Sequence, residues 1–167
     1  LLNPDTTLMP GCLAAIGEYM IRHPEIGMAG TAVYDAQGRL QSTQNQEYPG
    51  NHYAGSLFAA LPGTVAWLLG ASLIVRRKVM AQVQGFDPDY FLYGEDIDLA
   101  LRIRKAGWPL GYIAEAQIVH LEGQSEHATP HQALFEKKLR GELLFFEKHY
   151  SPEVVRRIKR SRRVQAF

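Results

Sequence analysis

The sequence contains a single cysteine, Cys12, among its 167 residues. One cysteine forms no disulfide within the chain and excludes a zinc site built from several cysteines. A reducing compartment suits this composition, which leads us to expect a cytoplasmic protein. No run of about eighteen apolar residues occurs, so no segment of this sequence is expected to cross a membrane.

Charge of either sign is not in excess, with 18 lysines and arginines against 17 aspartates and glutamates. Its distribution is uneven, because residues 153–167 hold six basic residues and one acid, whereas residues 1–152 are net acidic. A basic C-terminal segment favours contact with an anionic membrane surface or a nucleic acid, and the alternative is a solvated helix. We expect no nucleic acid partner, because only Phe167 lies near these charges as a stacking aromatic. The expected contact is therefore peripheral, at the inner face of the plasma membrane.

Helical and extended patterns alternate along the chain, which indicates an α/β fold. Hydrophobic spacing predicts helices over residues 9–22, 77–86, 95–106 and 130–150, followed by a last helix with the basic residues. Strands are predicted over residues 26–34, in residues 64–77 on both sides of Gly70, and as a pair around Ala114–Glu115 in residues 109–121. A hairpin turn is predicted at Gly38, and residues 43–63 are predicted to form a long loop. The helix over residues 130–150 is expected to pack through Phe135, Leu139, Leu143, Phe146 and Tyr150.

Leu1 and Leu2 are predicted to be the last residues of a further strand. Small or polar residues directly follow this strand and two others, in the segments Asn3-Pro4-Asp5, Gly70-Ala71-Ser72 and His120. Ligands of α/β sheets bind beyond the carboxyl ends of the strands, which singles out these segments. Asp5 has two interpretations, as an oxygen ligand for Mg²⁺ or Mn²⁺ or as the N-cap of the following helix. His120 is either a second metal ligand or a structural residue. Trp67 either stacks on a sugar or packs in the core.

Three carboxylates, Glu95, Asp96 and Asp98, stand at the start of an apolar helix. Acids there interact favourably with the helix dipole, and Asp98 is four residues from Arg102, with which it is expected to pair. Asp96 differs because the helix around it is apolar, so its side chain is expected to face a partner or a cavity. In a cavity, it could accept a proton from a hydroxyl group.

Together, these segments resemble bacterial glycosyltransferase family 2 proteins, with the closest likeness to the rhamnosyltransferase-like branch that builds cell-surface polysaccharides. The resemblance is carried, in chain order, by LLNPDT, VAWLLGASLIVRRKVM, GFDPDYFLYGEDIDLALRIRKAGW, IVHLEGQS and FFEKHY. It implies a GT-A fold, which is a mixed sheet flanked by helices, here without its first nucleotide-binding βαβ half. Residues 1–150 would then be the C-terminal part of the catalytic domain, and residues 151–167 a basic C-terminal helix or tail.

The resemblance also implies roles for individual residues. Donor-binding positions are expected at Asn3, Asp5, Trp67, Gly70, Ala71 and Ser125. Asp5, in the family's D-x-D-type signature, would hold Mg²⁺ or Mn²⁺ at the donor diphosphate, with His120 as a further ligand. Asp96 matches the catalytic base of the family's E-D pair, and Glu95 its neighbour that shapes the acceptor site.

The implied reaction is an inverting transfer from a nucleotide-diphosphate sugar to a saccharide or lipid-linked saccharide acceptor. Asp96 would remove the proton of the attacking hydroxyl in a single displacement, which needs no serine or cysteine nucleophile. The alternative is a non-catalytic module that binds a saccharide or a protein partner, because the nucleotide-recognition half is absent; this fragment alone is expected to be inactive. A second copy of the chain is a further expected partner, because a missing half leaves an open sheet edge.

Overall fold

The computed structural model describes residues 1–121 and 130–165, and its strands and helices alternate along the chain. The strands are β1 (Thr6–Leu8), β2 (Met28–Tyr34), β3 (Gln44–Asn45), β4 (Trp67–Leu68), β5 (Leu73–Val75) and β6 (Leu110–His120). The helices are α1 (Cys12–Arg22), α2 (Asn51–Ala54), α3 (Arg77–Gln82), α4 (Glu95–Lys105), α5 (His131–His149) and α6 (Pro152–Gln165). The predicted α/β class is confirmed.

Four strands form a mixed sheet in the order β1-β6-β2-β5. Strands β6 and β2 run parallel, whereas β1 pairs with β6, and β5 with β2, in antiparallel fashion. The pairing of Thr6 with His120 brings the start of β1 to the carboxyl end of β6. The Asn3-Pro4-Asp5 turn and His120 therefore lie at the same edge of the sheet. Strands β3 and β4 pair separately.

The prediction of two short strands around Ala114–Glu115 is wrong, because β6 is one continuous strand with an irregularity at that place. Thr31 pairs with Ile113, but its neighbour Ala32 pairs with Gln117, so residues 114–116 have no partner in β2. Extra residues of this kind bend a strand without ending it.

Two loop regions differ from the predicted pattern. Helix α1 begins at Cys12 rather than near Met9, because Gly11 adopts a left-handed conformation with φ 81° and occupies the N-cap position. The predicted loop over residues 43–63 contains the short elements β3 and α2. The turn at Gly38 is confirmed, with a φ of 76° and an antiparallel bridge between Tyr34 and Leu40.

The core lies on both sides of α4, whose Leu99, Leu101 and Ile103 are fully buried. Helix α5 contributes Phe145 and Phe146 to the cluster that also holds Val155 and Ile158 of α6. The predicted packing of Phe135 is wrong, since this side chain is 66% exposed, and the buried Phe145 was not predicted. No helix within residues 1–121 and 130–165 is long and apolar enough to cross a membrane.

Candidate active site

Asp96 lies in the first turn of α4, and the chain enters this helix through a tight turn. Tyr93 and Gly94 both have positive φ, of 67° and 89°, so the turn is built from two successive left-handed residues. The Asp96 Oδ2 atom accepts a hydrogen bond of 2.9 Å from the backbone N–H of Gly70, and Oδ1 accepts one of 2.8 Å from Ile97. The structure thereby joins two segments that are 26 residues apart in sequence.

Burial raises the pKa of Asp96 to about 6, and the neighbouring charge of Glu95 contributes in the same direction. The N–H groups of Gly70 and Ile97 act in the opposite direction, because they stabilise the ionised form. Asp96 is therefore ionised at neutral pH yet is a better proton acceptor than an ordinary aspartate. A general base is most effective when its pKa lies near the working pH.

Glu95 presents a buried carboxylate oxygen to the same region. Its Oε2 atom is shielded from solvent and has no hydrogen-bond partner among the residues that the structure describes. Burial of an unpaired acceptor is unfavourable, so such an atom calls for an explanation. A hydroxyl donor from a bound molecule would satisfy it.

The Asn3-Pro4-Asp5 turn meets His120 at the sheet edge. Asp5 Oδ1 lies 3.2 Å from His120 Nε2, and Asn3 Nδ2 lies 3.4 Å from the same nitrogen. Because α1 begins at Cys12, the interpretation of Asp5 as its N-cap is wrong.

A divalent cation would find two suitable ligands here, a carboxylate oxygen and an imidazole nitrogen. His120 Nδ1 is buried without a hydrogen-bond partner in the described chain, so the ring is not fixed by a second contact. Within residues 1–121 and 130–165, no group of three or more His, Cys, Asp or Glu side chains could hold a metal ion. Asp5 and His120 therefore supply two ligands, fewer than the six that a divalent cation such as Mg²⁺ takes.

The metal-binding candidates and Asp96 are linked through a short stretch of backbone. Asn3 N–H donates to the carbonyl of Ala71 at 3.1 Å, and the preceding residue, Gly70, donates to Asp96. The backbone of Gly70 packs against Asp96, since a Cβ added there would lie 3.4 Å from its carboxylate, within ordinary van der Waals contact. The Gly70-Ala71 pair thus holds the N-P-D turn and the start of α4 next to each other.

Two predicted residues lie apart from these contacts or outside the described chain. Trp67 packs against the core, and its indole N–H donates to the carbonyl of Glu47 at 3.1 Å. These contacts match its interpretation as a packing residue. Ser125 lies outside the residues that the structure describes.

The contacts that fix α4 include one predicted pair and one residue that we did not predict. The pairing of Asp98 with Arg102 is confirmed at 2.6 Å. His149, from the end of α5, also contacts Asp98, with Nε2 at 2.7 Å from Oδ1. No local sequence pattern links these two residues, which are 51 positions apart.

A glycine in the middle of α5 was also missed, although the sequence carried a signal for it. A Cβ added at Gly141 would collide with the carbonyl oxygen of Tyr93, so only glycine permits this close approach. Glycine inside a helix is unfavourable by roughly 1 kcal/mol relative to alanine, and its presence there indicates a packing requirement.

The fold and the pair of acids define a class of protein. The mixed sheet flanked by helices is consistent with a GT-A-type glycosyltransferase, as the resemblance implied. Residues 1–163 match the family described as "Glycosyl transferase family group 2", and the chain belongs to this family.

Similar proteins are found among bacterial sugar transferases. An N-acetylglucosaminyl-diphospho-decaprenol L-rhamnosyltransferase of Mycobacterium tuberculosis H37Rv is 33% identical over 147 residues, which cover 77% of this chain and 48% of that protein. Rhamnosyltransferase WbbL of Escherichia coli K12 is 43% identical over 56 residues, or 34% of this chain and 21% of that protein. O-antigen biosynthesis protein RfbC of Myxococcus xanthus is 26% identical over 121 residues, or 64% of this chain and 9% of that protein. The chain spans about half the length of the mycobacterial relative, and the resemblance to the rhamnosyltransferase-like branch is confirmed.

Proposed function

We propose that the chain forms part of an inverting glycosyltransferase that moves a sugar from a nucleotide-diphosphate donor to a saccharide or lipid-linked saccharide acceptor. Family membership and the rhamnosyltransferase relatives support sugar transfer in cell-surface polysaccharide synthesis. The observation that carries the mechanism is the Asp96 carboxylate, which is held by Gly70 and has a pKa raised to about 6.

In the proposed reaction, the acceptor hydroxyl oxygen forms a bond to the anomeric carbon while the bond to the diphosphate oxygen breaks. Asp96 receives the hydroxyl proton, and the diphosphate leaves with the bonding electron pair. The single displacement inverts the anomeric configuration. Glu95 Oε2, which lacks a donor among the described residues, is assigned to a second hydroxyl of the acceptor.

Asp5 and His120 are assigned to a Mg²⁺ or Mn²⁺ ion at the donor diphosphate, on the strength of their 3.2 Å separation. When bound, such an ion would neutralise the negative charge that develops on the leaving group. Asp5 itself aligns the donor by fixing one side of this site at the sheet edge. The hydrogen bond from Asn3 to Ala71 connects this site to the backbone that contacts Asp96.

The test of the base is Asp96→Asn in the intact protein, with the surface variant Asp35→Asn as a control. We expect Asp96→Asn to abolish transfer and to leave donor binding nearly unchanged, because the amide accepts no proton. Transfer assays and a manganese-dependent titration with a nucleoside diphosphate measure the two properties separately. Turnover at the wild-type rate would exclude Asp96 as the base, whereas absence of nucleotide binding in the wild type would favour a non-catalytic module.

For α6 we propose peripheral docking on an anionic membrane at the cytoplasmic side. Val155 and Ile158 anchor this helix in the core, and Arg156 and Arg160 point into solvent. Each basic residue near such a surface contributes about 1 kcal/mol of attraction. Charge reversal of both arginines is expected to release the protein from vesicles rich in anionic lipid in a pelleting assay, and unchanged pelleting would refute the docking.

A further inference from the structure

The last turn of α5 reaches helix α4 through one histidine. His149 Nε2 lies 2.7 Å from Asp98 Oδ1, and the two side chains are 9% and 1% exposed. On the other side of the ring, Lys105 Nζ lies 3.4 Å from Nδ1. An ammonium group only donates hydrogen bonds, so Nδ1 accepts here and Nε2 carries the proton that is donated to Asp98. The imidazole is therefore neutral and is held by α4 at both of its nitrogens.

Asp98 joins this histidine to the first turn of α4. The backbone N–H of Asp98 donates to the carbonyl of Gly94 at 2.9 Å, and Asp98 Oδ2 accepts a hydrogen bond of 2.6 Å from Arg102 Nε. Asp96 stands only two residues before Asp98 in the same helix. A displacement of Asp98 would therefore displace the turn that carries Asp96.

Helix α5 is itself held against the loop that precedes α4, near both ends of that loop. Close to its start, Lys148 Nζ binds the carboxylates of Asp87 and Asp89 at 2.7 Å and 2.6 Å. At its far end, the carbonyl of Tyr93 packs against Gly141, which lies two turns before Lys148 on α5. Helix α5 is thus a fixed support against which His149 holds α4.

The middle of the same loop gives little support. A cavity of about 340 Å³ beside Phe91 lies between the loop and α5. Phe91 itself is 94% exposed, so its side chain adds no packing to the core. The position of α4 relative to α5 therefore depends strongly on the contacts at the two ends of the loop and on His149.

We propose that His149 is a positioning residue for Asp96, because it holds the first turn of α4 through Asp98. The position that it maintains is the one in which Asp96 Oδ2 accepts the 2.9 Å hydrogen bond from Gly70. A misplacement of about 1 Å at a reacting group can lower a rate by about a hundredfold. This inference rests on the proposed function, because the residue that His149 positions is the proposed base.

The test compares His149→Gln with His149→Asn in the intact protein. Both variants replace the ring by an amide, but the glutamine side chain is one methylene longer and brings its N–H groups to the place of histidine Nε2. We expect kcat to decrease by roughly tenfold to a hundredfold in His149→Asn and to stay close to the wild-type value in His149→Gln. The donor KM should not change in either variant, because Asp5 and His120 are intact.

Two further variants complete the comparison. His149→Phe also lacks the N–H donor but keeps a ring next to Phe145, whose centroid lies 4.9 Å from that of the imidazole. It should lose kcat as His149→Asn does. Glu147→Gln is the matched control at a neighbouring position of α5, because it removes a 2.6 Å ion pair with Lys159 that does not involve α4. Its kcat should equal that of the wild type.

A titration of Asp96 by carbon-13 NMR gives a readout that loss of stability alone would not change. The carboxyl signal is identified by its absence in Asp96→Asn. Because the imidazole is neutral, its removal changes no charge, and a change in the pKa of Asp96 then reports a change in its burial. The pKa should decrease from about 6 toward the ordinary 3.8 in His149→Asn and His149→Phe, and it should remain at about 6 in His149→Gln.

Four outcomes would overturn the assignment. The first is a wild-type kcat in folded His149→Asn or His149→Phe, and the second is an Asp96 pKa that stays at about 6 in both variants. The third is an equal loss of kcat in His149→Gln or in Glu147→Gln, which would show that the N–H donor is not responsible. The fourth is failure of both donor-free variants to fold while His149→Gln folds, which would make the histidine a stability residue.

The NMR titration requires no transfer, so it separates this inference from the proposed function. If the pKa of Asp96 shifts as expected but transfer does not depend on Asp96, the base assignment fails and the positioning contact stands. If Asp96→Asn abolishes transfer but His149→Asn changes neither kcat nor the pKa of Asp96, the base assignment stands and the positioning role of His149 is refuted.

Discussion

Asp96→Asn should make the fold more stable at neutral pH, although it should abolish transfer. The pKa of Asp96 is about 6 in the folded chain, against an ordinary value of 3.8. Each pH unit of difference corresponds to about 1.4 kcal/mol. Above pH 6 both the folded and the unfolded chain carry the ionised group, and the folded state is disfavoured by about 3 kcal/mol.

The sign of the effect follows from proton binding. Between pH 4 and pH 6 the folded chain keeps the proton of Asp96 and the unfolded chain releases it, so the free energy of unfolding decreases as the pH rises. Asparagine lacks this titration, but it accepts only one of the two hydrogen bonds from Gly70 and Ile97, a loss of about 1 kcal/mol. The variant should therefore be less stable than the wild type by about 0.5 kcal/mol at pH 4 and more stable by about 2 kcal/mol at pH 8.

Urea unfolding at pH 4, 6 and 8, followed by the fluorescence of Trp67 and Trp108, measures this difference. Asp35→Asn is the control with the opposite sign, because the N–H and guanidinium groups of Arg39 lower the pKa of Asp35. That variant should lose stability at neutral pH relative to the wild type. A difference between Asp96→Asn and the wild type that is constant from pH 4 to pH 8 would refute the assignment of a raised pKa.

Three further predictions concern the same region. The transfer rate should rise with pH through about 6, since the proposed base must be ionised, and a rate that is flat between pH 5 and 7 would contradict the mechanism. Gly141→Ala should lower the free energy of unfolding by about 1–3 kcal/mol through its collision with Tyr93, whereas Gly17→Ala, which meets no neighbour, should raise it by about 0.5–1 kcal/mol. His149→Ala should lower it by about 2 kcal/mol in urea unfolding, because buried Asp98 loses one of its hydrogen bonds.

Elements with a long and regular pattern were predictable from the sequence. Helix α4 was expected over residues 95–106 and spans Glu95–Lys105, because its apolar spacing and Gly107 determine its course locally. The break at Gly70 between β4 and β5 was predictable for the same reason. In β6, by contrast, Ala114–Glu115 has the same local pattern whether the chain turns or bulges. Only the pairing with β2 distinguishes these two cases.

The residues of the candidate site could be predicted from the sequence, but their contacts with residues distant in sequence could not. The carboxylates at positions 5 and 96 were noted because of their place in strand and helix ends, which is local information. The contact of Asp98 with His149 and the packing of Tyr93 on Gly141 depend on how α5 lies across α4, which no local spacing encodes. The position of α5 also creates the cavity beside Phe91.

The instability that we assign to Asp96 has a functional reason. A carboxylate with an ordinary pKa would need no burial, and asparagine at this position would make the fold more stable at neutral pH. The chain instead keeps an acid whose ionised form is disfavoured by burial, and it surrounds that acid with rigid contacts from Gly70 and from α5 by way of Asp98 and Gly141. Active sites commonly reduce stability in this way, because a carboxylate with a raised pKa must be buried in surroundings that disfavour its ionised form. If Asp96→Asn is both more stable at neutral pH and inactive in transfer, the two results together support Asp96 as the base more strongly than either result does alone.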